Sequence, residues 1–129
     1  MVFLMQTLIV FFVISGLWST AVEANDRICK MTTIRAIKSE VSRRPITDKN
    51  MHCSASCILT LKCYPEDVLA IGIVKEILDL LTPGDSDIND IRANLKGIRL
   101  VTSGTARDPE DCYSRCLSYY PNPLLVSKD

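Results

Sequence analysis

The sequence predicts an all-α domain of about five short helices stapled by disulfides, and three observations predict it. Apolar residues recur three and four positions apart in one segment after another, and prolines and capping residues punctuate those segments. Four of the six cysteines form two Cys-x-x-x-Cys pairs, Cys53/Cys57 and Cys112/Cys116, a spacing that puts both thiols on one helical face.

Ile34, Ile37 and Val41 mark a first helix over 31–44, stopped by Pro45. A polar connector, 46–50, leads to a second over 51–61, with Cys53, Cys57 and Leu61 four apart. Cys63-Tyr64-Pro65 breaks it. The most apolar segment follows: Ala70/Ile71, Val74, Ile77/Leu78 and Leu81 form a broad stripe over 67–81. Pro65, Glu66 and Asp67 suit its start, Thr82-Pro83-Gly84 its end, and its hydrophobicity makes it the expected central helix of the core. Ser86 or Asp87 can cap a shorter fourth helix with Ile88, Ile91, Leu95 and Ile98 on one face and Gly97 near its end. Residues 99–107 read as a loop or one short strand. Asp108-Pro109-Glu110-Asp111 opens a last helix carrying Cys112, Cys116 and Tyr120; Pro121 stops it, and the tail from about 121 is expected to fray.

Compartment comes from the first 24 residues. Val2 to Leu17 is almost wholly apolar, and Val22-Glu23-Ala24 places small residues at −3 and −1 of a cleavage site, which reads as a secretory signal peptide cut before Asn25. A retained anchor is the alternative, because the run approaches the length that spans a bilayer. No later segment has that character; 68–81 is interrupted by Lys75, Glu76 and Asp79. On this reading residues 25–129 are one secreted, extracellular domain, and the six cysteines are disulfides. Two antiparallel Cys-x-x-x-Cys helices would pair as Cys53–Cys116 and Cys57–Cys112, leaving Cys29–Cys63; parallel helices would pair as Cys53–Cys112 and Cys57–Cys116. Six cysteines allow 15 pairings, so the choice stays open. Zinc is disfavoured by oxidation and by the spacing, and redox catalysis by the lack of Cys-x-x-Cys.

Cleavage removes Glu23 and no basic residue, leaving 15 basic against 14 acidic side chains. That balance offers no footprint for nucleic acid, nor the concentrated basic face of a membrane-lytic helix. It also removes every Phe and the only Trp, so the core must rest on Ile, Leu and Val with disulfide support. No Asn-x-Ser/Thr sequon occurs.

Catalytic signals are sparse. The only histidine, His52, could act as a base beside Glu76, Asp79 or Asp90, but no hydrolase, metalloprotease or phosphate-loop motif accompanies it. A partly exposed histidine at a helix start is the plainer reading. Asp85-Ser86-Asp87-Ile88-Asn89-Asp90 begins like a calcium loop, then has Asp90 where glycine is needed and Lys96 where a bidentate Glu belongs. No metal or other cofactor is assigned.

His52-Cys53-Ser54-Ala55-Ser56-Cys57, Lys75-Glu76, Asp79, Gly84-Asp85-Ser86-Asp87, Asp90, Ala93-Asn94 and Gly97 together resemble a small domain at the C-termini of bacterial polymorphic-toxin proteins of the rearrangement-hotspot type. The resemblance spans residues 52–98. It implies a compact helical domain in which His52, Glu76, Asp90 and Asn94 line one site, and it points toward an effector or toxin-like role.

The leading functional expectation is a non-enzymatic extracellular effector or interaction module of defence, venom or signalling type, with an extracellular protein or a small apolar ligand as partner. Three alternatives stay open: a matrix-associated structural component, a small hydrolase using His52 with Glu76 or Asp90, and a carrier of an apolar ligand.

Overall fold

In the computed structural model residues 29–123 are described, and they form an all-α domain. The expected signal segment, its cleavage position and the last six residues lie outside the described residues. Five helices follow in order: α1 (Met31–Val41), α2 (Asp48–Thr60), α3 (Pro65–Leu81), α4 (Ile88–Thr102) and α5 (Pro109–Tyr119). There is no strand among the described residues.

Local chemistry accounts for the helix starts. The Thr47 hydroxyl accepts from Asn50 N at the head of α2, so the segment expected as a connector is already helical at Asp48. Asp87 accepts from Asn89 N to cap α4, and Asp108 accepts from Asp111 N to cap α5. Pro65 and Pro109 occupy first-turn positions where a missing N–H costs nothing. The loop or strand expected over 99–107 is overturned in its first part. α4 runs through Leu100 and Val101 to Thr102, and the chain leaves it at Gly104, whose φ of 75° only glycine adopts easily.

α2 is the central element. It packs against all four other helices, most extensively α4, while α1 touches only α2 and α3 touches only α2 and α4. Its buried residues come from every side: Asn50, Cys53, Ser54, Ser56, Cys57, Ile58, Leu59 and Thr60. Small side chains let neighbouring backbones close in, and the buried hydroxyls are satisfied locally. Ser54 donates to Asn50 Oδ1 at 2.8 Å and Thr60 to the Ser56 carbonyl at 2.7 Å. The closest approach is at Gly97 of α4, where a Cβ would stand 2.8 Å from Cys57 N and nearer still to the Cys53 carbonyl oxygen.

Three bridges staple this arrangement: Cys29–Cys63, Cys53–Cys116 and Cys57–Cys112, with no free cysteine among the described residues. The last two join α2 to α5 in the outer-to-outer, inner-to-inner manner of antiparallel helices. Arg44 adds a further tie, stacking on the Tyr113 ring at 3.5 Å and pairing with Glu110 at 3.0 Å. The segment expected to fray is docked as far as Asn122, which is buried and donates to the Pro45 carbonyl; Asn50 likewise donates to the Tyr120 carbonyl.

The apolar helix is not central. α3 buries Val68, Gly72 and Glu76, four residues apart on one face, and turns Ala70, Ile73, Val74, Ile77, Leu78, Leu80 and Leu81 to solvent. The expected core stripe therefore faces outward. What α3 offers its neighbours is a glycine against Asn94 and a carboxylate, and Glu76 Oε2 accepts from Asp87 N at 3.0 Å. α4 departs from expectation in the same sense. Ile88 is exposed, and the buried set is Asp90, Ala93, Asn94, Gly97, Ile98 and Leu100.

Candidate functional site: a closed polar cluster and an open apolar face

Two polar stripes meet between α2 and α4. On α2, Lys49, His52 and Ser56 follow at spacings of three and four; on α4 and its cap, Asp87, Asp90 and Asn94 do the same. The helices cross where Gly97 admits close contact, so the stripes face each other. His52 sits between them, with its side chain 12% exposed. Its Nδ1 stands 3.3 Å from Asn94 Oδ1, and its Nε2 is 3.3 Å from Asp90 Oδ2 and 3.8 Å from Asp48 Oδ1. Ser56 donates to the same Asn94 oxygen at 2.8 Å.

Lys49 closes the far side. Its ammonium meets Asp90 Oδ1 and lies 2.6 Å from Asp87 Oδ2. Burial acts to lower the Lys49 pKa, and the hydrogen bonds to Asp87 and Asp90 outweigh it, holding the amine above the ordinary lysine range. In return the Lys49 hydrogen bond, helped by the Asn89 backbone N–H, holds the Asp87 carboxyl below its usual value. Asp48, His52 and Asp90 offer ligand atoms within 4.8 Å of one another, a grouping able to hold a cation. Lys49 already supplies positive charge to Asp90 there, and an ion would have to compete with it.

Of the four residues singled out in the sequence, His52, Asp90 and Asn94 are in direct contact. Glu76 is adjacent rather than included. Its carboxylate takes the Asp87 N–H on one oxygen and the Lys75 ammonium, at 3.2 Å, on the other. Lys75 also pairs with Asp79 at 2.7 Å, so Asp79 serves the surface of α3 and not His52. Lys49, Asp48, Asp87 and Ser56 complete the cluster; in the sequence Asp87 reads as a cap and Ser56 only as part of the resemblance, and Lys49 and Asp48 draw no notice, although the three-and-four spacing is visible in the chain. Chemically the arrangement is a closed circuit. Each imidazole nitrogen has an oxygen 3.3 Å away, to one of which the neutral ring can donate, and no side-chain polar atom of the cluster is left buried without a partner. A surface groove of about 460 Å³ lies elsewhere, lined by Lys96, Arg99, Leu100, Thr102, Ser103, Thr105 and Tyr119, and none of the four candidate residues borders it.

The open feature is the outward face of α3. Val74, Ile77 and Leu78 are about half exposed, and Leu80 and Leu81 more than two-thirds. Ile88, just beyond the following turn, is exposed as well. No charged side chain interrupts the outward arc between Ala70 and Leu81; Lys75, Glu76 and Asp79 lie on the inner side and its edge. No family model, curated protein or solved structure matches the chain.

The Lys49 links set an expected pH response. Asp87 has a depressed folded pKa, so its contribution is present above its ordinary value of 3.8 and is lost as the pH falls below that. Lys49 has a raised one, so its contribution is present below 10.5 and is lost only as the pH rises through the folded value. Lys49→Met should cost about 2 kcal/mol at neutral pH, because Asp90 is left buried without its cation. The gap between wild type and variant should hold from pH 7 to about 5 and narrow as the pH falls through 3.8 and below. Urea midpoints at each pH check this, and a gap that stays constant would show that Asp87 does not draw on Lys49.

Proposed function

We propose that this chain is a secreted, disulfide-stapled interaction module, a non-enzymatic extracellular effector that docks on its target through the outward face of α3. One observation carries the reading: the most apolar helix of the domain turns its apolar side away from the core. An apolar arc about three turns long, with anchors at Ile73, Ile77 and Leu80/Leu81, has the form of a helix that lies in a hydrophobic groove. The enclosure of His52 supports a structural role for it, because a side chain only 12% exposed between two packed helices has little room to meet a substrate. Full pairing of the described cysteines supports an oxidising destination, in keeping with the signal-like segment at 1–24. The resemblance of residues 52–98 to a polymorphic-toxin domain supports an effector role in the same direction. No described helix is long and apolar enough to cross a membrane.

A competition assay on cells tests this and does not require the target to be identified. Labelled secreted protein is bound to intact cells and displaced by unlabelled variants whose folding has been checked by circular dichroism. His52→Gln should compete like wild type, whereas Ile77→Glu/Leu78→Glu should lose at least tenfold in potency. The reverse order would favour the hydrolase reading and remove the docking one.

A further inference from the structure

We infer that, before it meets its target, the outward face of α3 is covered by a second copy of this chain, so that the free secreted form is a two-fold dimer built on an α3–α3 contact that target binding replaces. The inference rests on the docking role assigned to that face and names its occupant.

Area is the first argument. Ile73, Val74, Ile77, Leu78, Leu80 and Leu81 together leave roughly 600 Å² open to solvent, at the top of the 300–600 Å² range of the largest patch on a typical monomer and about three-quarters of the roughly 800 Å² per partner of a standard interface. Burying that area needs one neighbour of matching size. The chemistry of the face is the second argument. A two-fold contact joins a patch to itself, so the patch must be self-complementary. An arc of Ile, Val and Leu without charge meets that condition, since neither copy brings a buried ion that the other must neutralise. The β-branched Ile73, Val74 and Ile77 lose little rotamer freedom on packing, which suits a helix–helix seam.

The rim gives the dimer a signature. Free carboxylates stand at both ends of the face, Glu66 and Asp67 at the start of α3 and Asp85 just past its end. None of the three has a basic partner among the described residues. In a parallel pair Glu66 and Asp67 meet their own copies; in an antiparallel pair they meet Asp85. Either way acid faces acid, so salt should screen a repulsion and tighten the dimer. Docking on a partner with a basic rim would respond in the opposite sense.

Sedimentation velocity on the secreted, disulfide-intact protein tests this, over about 1–100 µM and at low and high NaCl. The expected result is a mass approaching twice that of the monomer, with the dissociation constant falling severalfold as salt is raised. Ile77→Glu/Leu78→Glu should remain helical and run as a monomer throughout. Leu117→Glu, which changes an exposed apolar residue on α5, should dimerise as wild type does. A wild-type monomer at the highest concentration, a dimer that persists in Ile77→Glu/Leu78→Glu, or weakening by salt would each overturn the inference. A monomer that still competes on cells through α3 overturns the dimer alone; loss of α3 dependence in both assays removes the docking role as well.

Discussion

Replacing Cys53, Cys57, Cys112 and Cys116 together by alanine should cost about 6–7 kcal/mol, more than twice the cost of opening either α2–α5 bridge alone. The bridges span 63 and 55 residues, so each by itself closes a long loop worth about 4 kcal/mol in chain entropy. They are not independent. Each half-pair lies four residues from its neighbour, so with one bridge intact the other closes only a ring of about eight residues, worth about 2–3 kcal/mol. Cys53→Ala/Cys116→Ala and Cys57→Ala/Cys112→Ala should therefore each lose about 2–3 kcal/mol, and the combined variant should lose more than their sum. Both bridges anchor α5, and its remaining packing is mostly against α2, so it should be the element released. Urea unfolding of the three variants gives the energies, and hydrogen exchange over 109–119 shows whether α5 detaches. Simple additivity would show that the bridges do not act on one shared loop.

Gly97→Ala should destabilise the domain by about 3 kcal/mol, the opposite sign to the gain of up to about 1 kcal/mol that alanine brings to an exposed helix interior. The new methyl would press on the Cys53 carbonyl and on Cys57 N at 2.8 Å, and both are backbone atoms of the central helix. Neither can swing aside as a side chain could. α2 is moreover tied at those same two residues to α5, so moving it away strains both bridges. For a domain of this size the loss corresponds to a fall in Tm of about 12–24 °C. Gly72→Ala is the informative contrast. Its methyl would meet the Asn94 amide nitrogen at 2.5 Å, the end of a side chain that can rotate by giving up its contacts with Ser56 and His52. A smaller loss in Gly72→Ala than in Gly97→Ala, read by thermal unfolding, is the expected order. Equal losses would mean that the α2–α4 crossing is no tighter than the α3–α4 one.

The His52 cluster shows what a single chain discloses about a site. His52 and Asp90 stand out by residue type, but their partnership depends on two helices crossing at a particular height. Lys49, Asp87 and Ser56 look like ordinary surface or capping residues until that crossing is known. Their spacing of three and four is a usable signal: a helix whose polar stripe is as regular as its apolar one has two faces that can be buried. α4 follows the polar stripe. Its buried face carries Asp90, Asn94 and Gly97, while Ile88 is left to solvent.

The helical class, the number and order of the helices and most of their ends are legible in the chain alone, because those features depend on local chemistry. Proline removes an N–H, Asp and Thr side chains take up the free donors of a first turn, and a three-to-four period is visible within a dozen residues. Which helix lies at the centre emerges only from packing. Hydrophobicity pointed to α3, but the centre of this domain is set by how closely backbones can approach and by where covalent ties fall. α2, with its half-cystines and serines and with Gly97 of α4 against its backbone, meets both conditions. A helix as broad and apolar as α3 would hold its neighbours apart, so it packs through Val68, Gly72 and Glu76 and leaves its large side chains on the surface. The orientation of that face is a property of the packed domain and not of the segment, since the same stripe of Ile, Val and Leu would read identically whichever way it turned.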